Sequence, residues 1–290
     1  MTKQRIRFVI NPISGTGRVI KWSALIQQYL DSKQFDYEIK YTSAQGDATT
    51  LAIEAANQNI DIVCAVGGDG TINEVAQGLV NTTTSLAILP RGSGNGLARH
   101  FTIPTKPTQA ILQLNQGKVH HMDAGLINDK LFLCVAGIGF DATVAHAFDA
   151  FGKRGLLSYA WLSLKAFLSY KPYTYNIRMD QQSIRTKAFL LTFANASQFG
   201  NNAYIAPEAH TNDGLLNLTV IKPFPLWATL GLLIKTFNKK LHLSKYCESY
   251  TFNTLTLQSD NPQTHIDGEP LLQTEELQVQ VQPNCLKIFY

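Results

Sequence analysis

The stretch DIVCAVGGDGTINEVAQGLV, residues 61–80, decides the fold of the first part of this chain. Its apolar start, Asp61 to Val66, is typical of a buried strand, and Ile72 to Val80 has the apolar spacing of a helix. The glycine-rich turn between them lets the backbone approach an anion without Cβ atoms in the way. Because the N–H groups at a helix start attract anions, the stretch predicts a phosphate site.

Asp69 lies inside this glycine turn. A carboxylate repels a phosphate group unless it handles a metal ion or a proton. Asp69 therefore indicates phosphoryl transfer rather than phosphate binding alone.

Strand-like and helix-like segments alternate on both sides of this stretch, which predicts an α/β domain with a parallel sheet wrapped by helices. Helices are expected at residues 19–30, 48–57, 72–80 and 97–101. We place this nucleotide-binding domain at residues 1–122 and allow residues 284–290 to return to it.

Polar or glycine-rich loops follow the four predicted strands, and in parallel sheets such loops meet at one edge, where ligands bind. The candidate ligand-binding residues in three of these loops are Asn11, Ser14, Gly15, Thr42, Gly92, Ser93, Gly94 and Asn95. Together with the turn at residues 67–71 they can surround a polyphosphate. The Walker spacing of glycines before Lys-Ser/Thr does not occur, so a P-loop enzyme is excluded.

Strand-like segments dominate after Pro107, which predicts an antiparallel β-sandwich over residues 123–290. Expected strands include residues 186–194, 249–257, 277–281 and 286–289, and two helices are expected at 157–168 and 226–237. We expect the apolar face with Leu157, Trp161, Leu164 and Leu168 to pack on the sandwich.

The four cysteines are far apart in the sequence, so we expect buried free thiols and a reducing compartment, the cytoplasm. No apolar segment is long enough for a signal region or a membrane span. The net charge of +4 does not indicate nucleic-acid binding. Its basic excess lies in residues 151–190 and 222–245, and for 226–240 both packing on the sandwich and docking on a membrane stay open.

Three motifs in order, Asn11-Pro-x-Ser-Gly15, the GGDGTINE motif at 67–74 and LPRGSGNGLAR at 89–99, resemble the catalytic domain of the diacylglycerol kinase and sphingosine kinase superfamily. Residues 122–125, 137–142, 212–216 and 265–269 are similar to later landmarks of soluble bacterial lipid kinases, so the resemblance spans nearly the whole chain. GGDGT alone is also similar to NAD kinases and phosphofructokinases.

The resemblance implies roles for individual residues. The implied nucleotide-binding residues of the central motif are Gly67, Gly68, Asp69, Gly70, Thr71, Ile72, Asn73 and Glu74. Glu269 matches the proton acceptor of the family, Asp69 is the base in a related branch, and Asp123 belongs to an implied Mg²⁺ network. A structural Mg²⁺ is implied at Asp213, with backbone carbonyls of His210 and Leu215. The implied cofactors are ATP and Mg²⁺.

The expected function is therefore an ATP-dependent lipid kinase that acts at the cytoplasmic membrane surface, with nucleotide on the α/β domain and lipid on the β-rich domain. A diacylglycerol-like acceptor is favoured, and a sphingoid base or ceramide is the alternative. NAD kinase and a non-catalytic lipid- or nucleotide-binding regulator are the other hypotheses. The expected partner is a lipid substrate at a peripheral membrane surface, a homodimer is also considered, and no nucleic acid is expected.

Overall fold

The structure is a computed structural model that describes residues 3–15, 20–151, 156–180, 182–261, 263–272 and 276–290. It divides into two compact units. The N-terminal unit comprises Met1–Met122 together with Asn284–Tyr290, and the C-terminal unit comprises Asp123–Pro283.

The N-terminal unit is built on a parallel sheet with the strand order β2-β1-β3-β4. Its strands are β1 Gln4–Ile10, β2 Phe35–Tyr41, β3 Ile62–Gly67 and β4 Ser85–Pro90. Lys287 and Ile288 extend this sheet by pairing in parallel with β4. β3 and β4 are buried over their whole length, as expected for a sheet covered on both faces.

The helices of this unit are α1 Trp22–Tyr29, α2 Asp47–Asn57, α3 Asp69–Leu79, α4 Gly96–His100 and α5 Pro107–Leu114. The α/β prediction is thereby confirmed. The expected helix at 72–80 starts three residues earlier, because Gly68 is extended and Asp69 already has helical geometry. The expected start of the first helix, Val19, lies outside the described residues, and the helix is seen from Trp22 onward.

The C-terminal unit is an antiparallel sandwich, which confirms the second part of the fold prediction. One layer has the strand order β12-β11-β10-β7-β14-β15, and the other contains β16-β13-β8-β9. The strands are β5 Val119–Ile127, which enters from the N-terminal unit, β6 Lys130–Phe132, β7 Val135–Gly139, β8 Tyr173–Met179, β9 Gln182–Ala188, β10 Leu190–Ala194, β11 Leu216–Ile221, β12 Cys247–Phe252, β13 Thr254–Gln258, β14 Gln263–Ile266, β15 Glu269–Leu272 and β16 Glu276–Phe289. Side chains from both layers, among them Tyr175, Phe193 and Phe252, form one apolar core.

Two expected strands are each divided into two shorter strands by a corner at which the chain changes layer. β9 pairs with β8, whereas β10 pairs with β7 and β11, and the change occurs at Phe189. β12 pairs with β11, whereas β13 pairs with β8 and β16, and the change occurs at Asn253. The expected strands 186–194 and 249–257 are therefore wrong as single elements, because a continuous apolar pattern carries no sign of the change of partner.

Two further differences concern length. The expected strands 277–281 and 286–289 are one strand, β16, in which Asn284 has a positive φ of 51°. The described part of the C-terminal unit contains three helices: α6 Phe140–Phe151, which the sequence did not predict, α7 Leu156–Ser169 and α8 Thr229–Phe237. A 3₁₀ turn at Leu226–Ala228 precedes α8.

The expected packing of the α7 face is wrong for the side chains that the structure describes. Trp161, Leu164 and Leu168 are all more than half exposed, whereas Leu162 is buried. Leu157 lies outside the residues whose side chains are described. All four cysteines are buried and free, as expected. Within the described residues, no helix combines the length and apolarity that a membrane crossing requires.

Candidate functional site

The carboxyl ends of four neighbouring strands lie side by side in the N-terminal unit. In the register of the sheet, Ile10 is level with Tyr41 and Val66, and Gly67 is level with Pro90. Backbone hydrogen bonds continue past the strand ends: Asn11 N–H donates to Val66 O, Thr42 N–H to Ile10 O and Arg91 N–H to Gly67 O, at 3.0, 3.0 and 2.7 Å. The predicted loops therefore do meet at one edge.

Glycine is required where these loops touch. A Cβ on Gly92 would lie 2.8 Å from the Cα of Gly68, and one on Gly67 would lie 2.5 Å from the Thr71 hydroxyl oxygen. Gly15 has a φ of +82°, and a Cβ there would lie 2.8 Å from the backbone oxygen of Arg91. A side chain at Gly15 or Gly92 would push two loops apart, and one at Gly67 would collide with Thr71 in the first turn of α3, since contacts below 3 Å are not tolerated.

The first turn of α3 lies at this edge. The first intrahelical bond runs from Ile72 N–H to Gly68 O at 3.0 Å, so the N–H groups of Gly70 and Thr71 have no acceptor within the helix. The Ile72 side chain is buried in the core, so only its backbone belongs to the site. Together with the positive end of the helix dipole, this turn is suited to a phosphate group.

Asp69 has an additional structural role that the sequence reasoning did not consider. Its Oδ2 accepts a hydrogen bond from Asn95 N–H at 3.0 Å, and its Oδ1 accepts one from Gly96 N–H at 2.9 Å. The carboxylate therefore caps the start of α4 and joins the loop after β3 to the loop after β4. A carboxylate bonded in this way is compatible with a nearby phosphate, because its charge is partly compensated by the two N–H dipoles.

Several of the remaining predicted side chains of this unit form hydrogen bonds within and between the loops. Asn11 donates from Nδ2 to the Thr71 hydroxyl at 3.1 Å, and the buried Ser14 hydroxyl donates to the backbone oxygen of Asn11 at 2.8 Å. Asn95 has a left-handed φ of 52°, and its side chain accepts from Gly92 N–H at 2.7 Å. The buried Asn73 accepts a hydrogen bond from Gln77.

The other predicted members differ in exposure. Ser93 is exposed, Glu74 is half-buried and Thr42 is buried. Gly94 contributes its backbone oxygen as an acceptor for the guanidinium of Arg99 at 3.2 Å.

Glu269 lies in the C-terminal unit at the start of β15, directly after a two-residue hairpin turn. Asp267 and Gly268 both have positive φ, 48° and 88°, and Ile266 pairs with Glu269, which is the geometry of a type I′ turn. The Glu269 residue is exposed.

Asp267 anchors this hairpin to the beginning of β7. Its carboxylate accepts hydrogen bonds from the backbone N–H groups of Leu133, Cys134 and Val135 at 2.9, 2.9 and 3.0 Å, and its own N–H donates to Val135 O at 2.8 Å. No sequence pattern indicated this anchor, because the partners are more than 130 residues away.

Asp123 is hydrogen-bonded to the short loop of the C-terminal unit that contains Asp213. Asp123 is buried in β5, where its Oδ2 accepts a hydrogen bond from Gly214 N–H at 2.8 Å and its N–H donates to Thr211 O at 2.6 Å. Asp213 is exposed and accepts from Leu215 N–H at 3.0 Å. The structure therefore brings together Asp123 and the loop at 210–215, whereas Asp69 belongs to the other unit.

The donor set in the 210–215 loop fits a hard cation. Mg²⁺ prefers oxygen ligands, and this loop offers the exposed carboxylate of Asp213 and the backbone carbonyls of His210 and Leu215. Within the described residues no group of three or more His, Cys, Asp or Glu side chains is close enough to hold a metal.

The structure also joins His265 and Asp141, two motif residues to which the sequence assigned no role. His265 pairs in register with Gly137, and its Nε2 lies 3.2 Å from the Oδ2 of the buried Asp141, which also accepts from the Thr192 hydroxyl at 3.2 Å. A Cβ on Gly137 would lie 2.3 Å from Asp141 Oδ2. Gly137 therefore makes room for a buried polar cluster that holds β7, β14 and α6 together.

Two family models match successive parts of this chain. The diacylglycerol kinase catalytic domain matches residues 5–127, and the YegS C-terminal NAD kinase beta sandwich-like domain matches residues 134–290. The first match contains the glycine loops, and the second contains the hairpin with Asp267 and Glu269.

Named relatives agree with these models. A protein of Chromohalobacter salexigens, described as a probable YegS-like lipid kinase, is 29% identical over 86% of this chain and 82% of its own length. A diacylglycerol kinase of Bacillus subtilis is 28% identical over 92% of this chain and 90% of its own length. A crystal structure described as a diacylglycerol kinase from Bacillus anthracis has the same fold, with a TM-score of 0.75 at 20% identity, covering 100% of this chain and 98% of that one. Because one model matches more than half of the chain and the other most of its N-terminal unit, the chain belongs to the YegS-type family of lipid kinases with a diacylglycerol kinase catalytic domain.

Proposed function

We propose that this protein is an ATP-dependent lipid kinase that transfers the γ-phosphoryl group of ATP to a lipid hydroxyl at a membrane surface. The observation that carries the proposal is the convergence of three glycine loops on the first turn of α3, in a chain of this family. A diacylglycerol-like acceptor is the favoured substrate class, because the family model that matches residues 5–127 and the Bacillus subtilis relative are both described as diacylglycerol kinases.

In the proposed reaction, the loops around Gly68 and Gly92 hold the phosphates, and Glu269 accepts the proton of the lipid hydroxyl. The hydroxyl oxygen forms a bond to the γ-phosphorus while the bond between this phosphorus and the bridging oxygen of ADP breaks. A lipid hydroxyl holds its proton tightly at neutral pH, so a positioned carboxylate accelerates transfer by about 10²- to 10⁴-fold. Glu269 is exposed and can exchange the proton with water after each turnover.

Mg²⁺, when bound, would neutralise charge on the transferring phosphoryl oxygens. We propose Asp69 and Asp123 as the carboxylates of that network and Asp213, with the carbonyls of His210 and Leu215, as a separate structural site. Asp69 would hold Mg²⁺ and at the same time accept the hydrogen bonds from Asn95 and Gly96 N–H. Its substitution would therefore affect both nucleotide binding and the position of α4.

The test is a phosphorylation assay with purified protein, labelled ATP, Mg²⁺ and mixed micelles that contain one acceptor at a time. The acceptors are diacylglycerol, monoacylglycerol, phosphatidylglycerol, ceramide and a sphingoid base, and NAD serves as the non-lipid acceptor. A labelled lipid product supports the proposal. Labelled NADP would indicate NAD kinase instead, and nucleotide binding without any product would indicate a non-catalytic regulator.

Glu269→Gln separates the proton-acceptor role from binding. We expect kcat for the lipid to fall by about 10²- to 10⁴-fold with an unchanged Kd for ATP, since in the proposed reaction Glu269 acts on the lipid hydroxyl whereas the loops around Gly68 and Gly92 hold the phosphates. Wild-type turnover in this variant would refute the assignment of Glu269 as the base.

A further inference from the structure

The connection between β11 and β12 is far longer than the pairing of these strands requires. Ile221 and Cys247 are directly paired at the end of the antiparallel ladder, and Lys222 N–H donates to Tyr246 O at 2.8 Å. A hairpin of this kind is closed by about two to five residues. Here residues 222–246 leave the sheet and return to it, and they carry a 3₁₀ turn and α8.

This excursion exposes the apolar side of its helix. Within the 3₁₀ turn and α8, Ala228 and Leu232 are buried, whereas six large apolar side chains are more than half exposed. We call them the α8 surface: Leu226, Trp227, Leu230, Leu233, Ile234 and Phe237. Trp227 and Leu226 are 74% and 72% exposed, whereas a surface helix of a soluble domain normally turns such a stripe inward.

The charged residues of this excursion are of one sign. Residues 222–245 contain five lysines and no acidic residue. Lys222 forms an ion pair with Glu248. The other lysines are Lys235 on α8 and, after its end, Lys239, Lys240 and Lys245. The ammonium group of Lys239 lies 4.6 Å from the centre of the Tyr204 ring, and that of Lys245 lies 5.2 Å from the Tyr246 ring and 5.8 Å from the Trp227 ring.

An apolar stripe bordered by lysines and by amphipathic aromatic rings matches the cross-section of an anionic lipid leaflet. The stripe suits the acyl region, Trp and Tyr suit the interface, and the lysines suit the lipid phosphates. A second copy of this chain is a poorer occupant, because a two-fold contact through this surface would bring identical lysines of the two copies together. We propose that the α8 surface docks this protein on anionic membranes by inserting into one leaflet.

The docking proposal concerns how the enzyme reaches a lipid substrate, and its binding test does not depend on the proposed kinase function. The first experiment is flotation of purified protein with vesicles of phosphatidylcholine alone and of phosphatidylcholine with phosphatidylglycerol in equal parts. We expect flotation with the anionic vesicles, weaker flotation when the salt concentration rises, and little with the neutral ones.

Substitutions on the α8 surface are not expected to disturb folding, because the altered side chains face solvent. Leu230→Asn with Leu233→Asn should lower the partition coefficient by more than about tenfold, since two apolar side chains no longer enter the leaflet. Lys239→Gln with Lys240→Gln should lower it by about fivefold per lysine. Ile53→Asn, on an exposed position of α2, and Arg185→Gln with Lys187→Gln, on β9, are the matched controls and should bind like wild type.

Tryptophan fluorescence gives a second, direct measurement. In a Trp161→Phe background the remaining indoles are Trp22, which is buried, and Trp227, which is 74% exposed. Anionic vesicles should shift the emission to shorter wavelength, and lipids with brominated acyl chains should quench it.

The proposal is overturned if wild-type protein does not float with anionic vesicles, or if the Leu230/Leu233 variant floats as well as wild type. Self-association of the wild type that this variant abolishes without vesicles would overturn it in favour of an interface between copies. If no lipid is phosphorylated in any assay but flotation follows these expectations, the kinase proposal fails and the docking proposal stands.

Discussion

Replacing Asp267 by alanine should uncouple the Glu269 hairpin from β7 and reduce turnover more than it reduces ATP binding. Three backbone N–H groups lose their acceptor, and each such bond contributes about 1 kcal/mol net, so about 3 kcal/mol of the local free energy of unfolding is lost. Alanine is also disfavoured at the φ of 48° found here, which adds about 1–2 kcal/mol.

Asp267→Asn should be milder. Its amide oxygen can keep the bonds that Oδ1 accepts from Cys134 and Val135, whereas its NH₂ group faces the Leu133 N–H and loses that bond. Because asparagine tolerates a positive φ, the expected loss is about 1 kcal/mol.

The assay is steady-state kinetics with the lipid acceptor, together with urea unfolding of each variant. A shift of Glu269 by about 1 Å is enough to cost up to about 100-fold in kcat, so we expect kcat to fall in the order wild type, Asn, Ala, with an unchanged KM for ATP. Asp180→Ala is the control, because Asp180 also has a positive φ, 44°, and accepts from Asn253 and Thr254 N–H at 3.4 and 3.3 Å, but its hairpin carries no predicted catalytic residue. An Asp267→Ala enzyme with wild-type kcat, or an equal loss of kcat in Asp180→Ala, would refute the reasoning.

Three further predictions concern other parts of the chain. Gly92→Ala places a Cβ 2.8 Å from the Cα of Gly68 and should raise the Kd for ATP about tenfold, because the overpacking costs about 1–3 kcal/mol. Gly231→Ala is the control and should leave the Kd unchanged, since no atom lies within 4 Å of its Cβ. Equal Kd values for the two variants would contradict the close contact of the loops. Hydrogen bonds from the Ser43 hydroxyl and from the Ser43 and Ala44 N–H groups lower the pKa of Asp47. The contribution of Asp47 to stability is therefore present above about pH 4 and is lost as the pH falls through the lowered pKa. Asp47→Asn should weaken the acid dependence of the unfolding midpoint, and an unaltered dependence would count against this prediction. Burial raises the pKa of the Cys64 thiol and brings that of Cys247 to about 11, so these two cysteines should react with a thiol reagent at pH 8 only after unfolding; fast labelling of either in the native protein would refute this.

The α/β part of the fold was predictable because each of its signals is local. An apolar strand, a glycine turn and an apolar helix in succession fix the parallel sheet, and the register of the sheet then brings Asn11, Gly68 and Gly92 to one edge. The family prediction, which rests on the motifs around these residues, is confirmed by the two family models.

What the sequence missed depends on partners far along the chain. The corners at Phe189 and Asn253 look like uninterrupted strands, because the apolar alternation continues while the hydrogen-bonding partner changes. The capping of α4 by Asp69 and the attachment of the hairpin to β7 by Asp267 also depend on N–H groups far along the chain, which no local pattern reveals. The α7 face was expected to be buried because apolar spacing does not distinguish a packed stripe from an exposed one.

Residues 284–290, which comprise the end of β16 and Tyr290, also have a consequence for the order of folding. Lys287 and Ile288 pair with β4, Cys285 O accepts from Asn81 N–H, and the Phe289 ring lies against Gly117, so these residues complete the N-terminal unit. They are synthesised only after the whole sandwich sequence, residues 123–283, has been made. During translation β4 of the N-terminal unit therefore lacks this parallel partner until residues 284–290 have been made, and we expect the sandwich to fold before the N-terminal unit is complete.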